Sequence, residues 1–368
     1  MNPSFMKKNN TSSNYVPFLD GLRGFAIAIV LIAHAGLDKL VPGGFGVTVF
    51  FFISGYLITK LLIREVEDTG KINLQNFYLR RFFRLYPALI AFILLGCISI
   101  LIIGCTVSAK DILSALFYFT NYYIGWIRQP VEDCSRILDI TWSLSIEEHF
   151  YLFFPLLSSY FIAGNHQNKI RIFTGLLFLL CFLALAARLN LVYTHPLDPQ
   201  NAEGRIYFST HTRMDAILYG CIAALLLFKV KSRLYLFCLK NRIALSIALV
   251  ILLTTFLIRG PFFRNTLRFT LQGLSLLIII PFLERWNNPI KKMVFENRLI
   301  ILIGKISYSL YLFHWIVLKI ANHYLPEFSF YWQLVYWPIS ILLGLISYFF
   351  LERTFIAMRK KFGSHASI

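Results

Sequence analysis

Leu22-Arg23-Gly24-Phe25-Ala26-Ile27-Ala28-Ile29-Val30-Leu31-Ile32-Ala33-His34-Ala35-Gly36 is the stretch that decides how this chain is read. It is apolar over membrane length, yet it holds an arginine and a histidine. A segment that only crosses lipid gains nothing from either. Ionisable groups at that depth cost several kcal/mol unless they face protein or water, which makes them functional candidates. Eleven residues at ~100° each place both side chains on one helix face, roughly 16 Å apart along the axis. A purely structural reading stands beside this one. In it, His34 is hydrogen-bonded inside a bundle and Arg23 snorkels to the interface.

Composition agrees with a membrane chain. The 368 residues are 57% hydrophobic and 17% aromatic, and only 15% are charged. Mean hydropathy is +0.65. A net charge of +18 would suggest nucleic acid in a soluble protein. In a polytopic membrane protein it reflects Lys and Arg collected in cytoplasmic loops, and no nucleic-acid partner is expected. Lys7 and Lys8 precede the first apolar run, as in a signal peptide. Asp20, Arg23 and the immediate start of a second apolar run argue against cleavage.

Ten segments reach or approach membrane length: 22–40, 45–63, 85–105, 142–162, 172–193, 214–228, 243–258, 269–282, 300–320 and 332–351. With the N-terminus inside, the inner segments carry 22 Lys and Arg and the outer loops 10, counting Arg188, Arg205 and Arg213 as outer. This excess predicts both termini in the cytoplasm. The expected architecture is an all-α polytopic bundle of about ten transmembrane helices enclosing one polar cavity open to the cytoplasm. Residues 1–21 form a cytoplasmic segment, 22–352 the membrane domain and 353–368 a cytoplasmic tail. The outer stretch 106–141 holds seven charges of mixed sign, and 194–213 holds His195 and His211. Both are candidate acceptor faces or simple connectors.

Six cysteines (Cys97, Cys105, Cys134, Cys181, Cys221, Cys238) form no CxxC pair and no metal-ligand spacing, so no metal is expected. Cys105 and Cys134 are placed for a disulfide by position alone.

Five clusters carry chemistry. Asp20-Gly21-Leu22-Arg23-Gly24 opens the first span and His34 closes it. Gly43-Gly44-Phe45-Gly46 through Ser54-Gly55-Tyr56 forms the second. Arg80-Arg81-Phe82-Phe83-Arg84 precedes the third. Trp142-Ser143-Leu144-Ser145-Ile146-Glu147-Glu148-His149 opens the fourth. Ser307-Tyr308-Ser309-Leu310-Tyr311-Leu312-Phe313-His314-Trp315 lies in the ninth. The glycines of span two lack the lysine and strand–helix context of a phosphate loop and are read as allowing close helix approach. Tyr308, Tyr311 and His314 are read as lining or packing residues.

Together, in this order, the clusters resemble the acyltransferase-3 family of integral membrane acyltransferases over almost the whole chain. The resemblance implies transfer of an acetyl or other short acyl group from a cytoplasmic coenzyme A thioester, with acetyl-CoA as donor substrate. The implied acceptors are hydroxyls of surface polysaccharides, O-antigen, peptidoglycan, glycolipids or macrolides. It also implies a bacterial inner-membrane location and maps the family's functional arginine–histidine pair onto Arg23 and His34, and its Arg-x-x-Arg motif onto Arg81 and Arg84. His149 stands where the family usually has Gln, and Thr354 follows Glu352-Arg353 where Pro is common.

The residue chemistry fits that reading. A sugar hydroxyl must lose its proton as it attacks a thioester, and histidine, with a free pKa of about 6.5, suits the task. An acyl-histidine intermediate is the alternative. A catalytic imidazole usually needs an orienting carboxylate. Adjacent Glu147 and Glu148 point ~100° apart and are not expected to face one site together. Glu147, sharing a face with Ser143, is the preferred carboxylate. Arg81 and Arg84, helped by Arg23, are expected to hold the donor's phosphates through bidentate contacts. Two rival functions are acylation of a small hydrophobic acceptor such as a macrolide and proton-coupled transport. Transporters commonly show internal repeats, and none is visible here.

Overall fold

The computed structural model describes residues 16–128, 133–164, 166–194 and 199–359. Every apolar segment named above is helical, and no strand occurs among the described residues. The main helices are α1 (Pro17–Ile32), α2 (Gly43–Thr69), α3 (Leu74–Ile102), α4 (Trp142–Phe161), α5 (Gln167–Thr194), α6 (Asp215–Leu225), α7 (Arg242–Leu257), α8 (Leu267–Arg285), α9 (Ser307–Tyr324) and α10 (Phe330–Ile346). Among the described residues, six helical stretches are long and apolar enough to cross a bilayer: 17–37, 43–69, 74–102, 167–194, 267–285 and 330–358. A seventh is reached if the bent pair 298–305 and 307–324 counts as one span. The chain is a multi-pass membrane protein.

Local sequence explains the ends of the helices that frame the site. Pro17 occupies the first turn of α1, where its missing N–H costs nothing, and Asp20 complements the dipole there. At the far end the α-helix widens into a π-helical turn, Ala33–Leu37, which holds His34. Gly36 ends it at φ 98°, a conformation that strongly favours glycine. Asn73 caps α3, accepting from the Asn76 N–H at 3.0 Å.

α2 is the central helix. Phe51, Phe52 and Ile53 are wholly buried, whereas Leu94 and Leu101 of α3 and Leu342 of α10 are exposed at the periphery, where lipid surrounds the bundle. Lipid tails are as apolar as leucine, so close packing and interhelical polar contacts hold such a bundle together. α2 and α6 show the packing. A Cβ on Gly55 would lie 2.0 Å from the Ile217 carbonyl oxygen, and one on Gly220 would lie 2.1 Å from that of Phe52. The expected close-approach role of Gly55 is therefore met. α5 and α6 show the polar contacts: Arg188 donates to Asp215 at 2.8 Å, and both side chains are fully buried.

The structure corrects several expectations. Arg188 is not an outer-loop residue; it lies inside α5, because Asp215 on α6 supplies its counter-charge. Arg213 is likewise fully buried. The ninth segment is not one straight helix: Arg298–Lys305 meets α9 at 69°. That short helix packs along α1, and Ile306 at φ −87°, ψ 2° makes the break. The stretch 106–141, expected on the outer side, contains helical turns at Ala109–Leu116, Thr120–Ile127 and Asp133–Thr141. Cys105 is disulfide-bonded. The side chain of Cys134, together with Lys7, Lys8, His195 and residues 360–368, lies outside the described parts. No group of three or more potential metal ligands occurs among the described residues.

Candidate active site

α1 delivers two groups to two different places. Near its start, Arg23 lines a cavity of about 80 Å³. Arg81 and Arg84 reach the same cavity from α3, and Glu147 and Glu148 from α4. Arg23 touches Asp20 only at 3.5 Å. Arg81 stacks on the Tyr151 ring at 4.2 Å. Among the described residues no carboxylate pairs with Arg81 or Arg84 at ion-pair distance. Three guanidinium groups thus face two carboxyl groups in one confined space, a setting suited to phosphate oxygens.

Both glutamates line this cavity, which corrects the expectation that adjacent residues could not share a site. The ~100° between them on the helix directs them to two walls of the same space. Their surroundings differ. Glu147 Oε2 accepts from Tyr151 at 2.9 Å and from Ser54 at 3.2 Å, and Ser54 also contacts the Tyr151 hydroxyl. Glu148 Oε1 is buried without a hydrogen-bond partner. Ser143, on the Glu147 face, contacts the Tyr311 hydroxyl at 2.7 Å.

His34 faces elsewhere. It lines a cavity of about 190 Å³ with Val47, Tyr311 and Trp142, and a second of about 440 Å³. His34 and the three arginines therefore line different, neighbouring cavities. Val47 and Tyr311 line both the arginine cavity and the smaller histidine cavity, so the two adjoin at these residues. Tyr311 is held there by Ser143 and by the Ile140 carbonyl at 3.2 Å.

Among the described residues no glutamate is hydrogen-bonded to His34. Its Nδ1 lies 3.0 Å from Nε2 of His314, and the rings stack with centroids 5.3 Å apart. Nδ1 of His314 lies 2.9 Å from the Leu310 carbonyl oxygen, which can only accept. The protons follow from that end. His314 donates through Nδ1, so in its neutral form its Nε2 is an acceptor. His34 then donates through Nδ1 and keeps a lone pair on Nε2. This tautomer assignment is inferred from the hydrogen-bond chain. The sequence alone marks His314 as a lining or packing residue. The available signal was a second histidine on an apolar helix, but its partner lies 280 positions away.

The rim of the smaller histidine cavity is braced by ions. Arg128 grips Asp139 with two bonds of 2.5 and 2.6 Å and reaches Asp111 at 3.2 Å. Burial works against the charge on Arg128, but the hydrogen bonds and charge of Asp139 outweigh it and raise its pKa.

Comparison with known proteins gives this arrangement a class. The chain belongs to the acyltransferase-3 family, whose model, described as an acyltransferase domain, matches residues 16–352. More narrowly, it is similar to the O-acetyltransferase OatA of Staphylococcus aureus strains NCTC 8325 and COL, at 33% identity over 360 residues. It is also 33% identical over 364 residues to a protein of strain COL provisionally named an O-acetyltransferase. In each case the match covers 93% of this chain but 57% of the relative, so the chain spans little more than half their length. No solved structure matches the chain.

Proposed function

We propose that this protein is a membrane O-acyltransferase moving an acetyl or short acyl group from cytoplasmic acyl-CoA to a hydroxyl of a bacterial cell-surface polysaccharide, such as O-antigen, or its lipid-linked precursor. The observation that carries the reading is the pair of compartments abutting at Val47 and Tyr311: arginines on one side, a polarised histidine pair on the other. In this proposal the protein lies in the inner membrane with both termini cytoplasmic and residues 22–352 as its membrane domain. The helices beyond the six or seven of sufficient length complete about ten passes. Arg23, Arg81 and Arg84 hold the donor's phosphates at the inner mouth.

The thioester passes Val47 and Tyr311 toward His34. Nε2 of His34 takes the proton from the acceptor hydroxyl as its oxygen attacks the thioester carbonyl. The C–O bond forms, the C–S bond breaks, and the coenzyme leaves as a thiolate that recovers the proton from His34. His314 holds the imidazole in the reactive tautomer, the orienting task that a carboxylate performs in other sites. The glutamates belong to the donor compartment, where they set the charge facing the phosphates. This differs from the orienting role first expected of Glu147.

Mass spectrometry of surface polysaccharide tests the reading, in cells expressing wild type or His34→Ala at matched membrane levels. An acetyl-sized increment only with wild type is expected. The same increment in both would remove His34 from the chemistry.

A further inference from the structure

The cavity of about 440 Å³ beyond His34 has a composition that the transfer step does not explain. Lys39, Arg259, Arg264 and Arg268 line it against one carboxylate, Asp38. Arg264 reaches Glu203 at 3.5 Å, and both side chains are about half exposed. Arg259 is bonded to a carbonyl, that of Lys39, at 3.2 Å. Among the described residues no carboxylate lies within ion-pair distance of Arg268, which instead sits over the Phe269 ring at 5.0 Å.

Arg213 lies behind this lining. It is wholly buried, and its Nε and Nη1 have no hydrogen-bond partner. Nη2 is 3.4 Å from the Thr48 hydroxyl. The guanidinium is pressed on Phe269 at 3.8 Å and Tyr207 at 5.1 Å, and both of these rings line the cavity. A buried cation without a hydrogen-bonded anion is costly. Loop charge bias does not account for the group either. In the proposed orientation Arg259, Arg264 and Arg268 lie on the outer side, where that bias disfavours them.

We propose that this cavity is an acceptor subsite for a phosphate group. The acceptor would then be a glycosyl phosphate or pyrophosphate, seated with its anion on Arg268 and Arg259 and its hydroxyl at His34. Four lining cations against one lining carboxylate suit a dianionic group better than the single charge of a carboxylate, and guanidinium matches phosphate geometry. The assignment of this anion to an acceptor rests on the acyltransferase reading; the anion site itself does not.

The test uses the full chain in phosphatidylcholine nanodiscs, with inorganic pyrophosphate as probe and binding followed by calorimetry. Pyrophosphate is expected to bind wild type and to weaken at least tenfold in the double variant Arg259→Gln/Arg268→Gln. Pyrophosphate held in the donor cavity would be lost in Arg84→Gln instead, so the component assigned to this cavity is the one that survives Arg84→Gln and is lost in the double variant. Unchanged affinity in the double variant, or binding lost only in Arg84→Gln, would overturn the proposal. Equal binding of glucuronate would also overturn it, in favour of a carboxylate site. Displacement of pyrophosphate by phosphatidylglycerol, dependent on Arg259 and Arg268, would assign the cavity to a lipid headgroup instead. Acetyl-CoA binding measured on the same samples separates the two readings. If wild type binds pyrophosphate through Arg259 and Arg268 but no acetyl-CoA, the acyltransferase reading fails while the anion site stands.

Discussion

The arginine cavity and the histidine pair lie toward opposite ends of α1, and they are built differently. The first draws on motifs whose members are neighbours in sequence: Arg81 with Arg84, Glu147 with Glu148. The second joins His34 to a histidine on α9, and α9 reaches it only because the chain folds back after α2 to α8. The first is rich in groups that hold charge. The second has one hydrogen-bond chain that fixes one lone pair. In the proposed function binding falls to one end and proton transfer to the other, and mutations at the two ends should therefore fail in different ways.

The largest effect belongs to the histidine end. His34→Ala should lower turnover by about 10²–10⁴-fold, the usual contribution of a general base. Steady-state kinetics at saturating acetyl-CoA measure this, and a loss confined to KM would break the division. His314 comes next. His314→Phe should lower kcat by roughly 10²-fold with donor KM unchanged, because His34 loses the acceptor that fixes its tautomer. His314→Gln can still donate to the Leu310 carbonyl and accept from His34, so it should recover part of that loss. Equal activity of the Phe and Gln variants would reduce His314 to packing.

At the other end, Arg84→Lys keeps the charge but loses the fork. It should raise the donor KM about tenfold while kcat at saturation holds. The smallest and most discriminating effect is at the glutamates. Glu147→Gln and Glu148→Gln should change donor affinity unequally, with the larger change at Glu147, whose carboxylate accepts from both Ser54 and Tyr151. Neither should move the pH profile of kcat. A shifted profile would tie a glutamate to His34 after all.

Stability offers an independent check on the frame. Arg188→Met leaves Asp215 buried without its partner, so it should cost about 3–5 kcal/mol. Converting both residues to apolar ones should restore much of that. Thermal unfolding in detergent follows both variants.

This contrast also explains what could be read in the sequence. The apolar runs located the helices, and the placement of Arg23, Arg81 and Arg84 in one cavity followed from motif chemistry. Glycine spacing predicted the tight contact at Gly55. Three features were not legible. Arg188 looked like a loop charge because its counter-ion sits on the next long helix. Glu147 and Glu148 looked mutually exclusive because a helical wheel fixes directions but not the width of the cavity around them. His314 looked like packing because only the fold brings α9 against the widened end of α1.

The most direct test of two separate compartments measures acetyl-CoA binding and acetyl transfer on the same purified His34→Ala protein. Wild-type donor affinity with transfer abolished is the expected result. Transfer at the wild-type rate, or donor binding lost along with transfer, would contradict it.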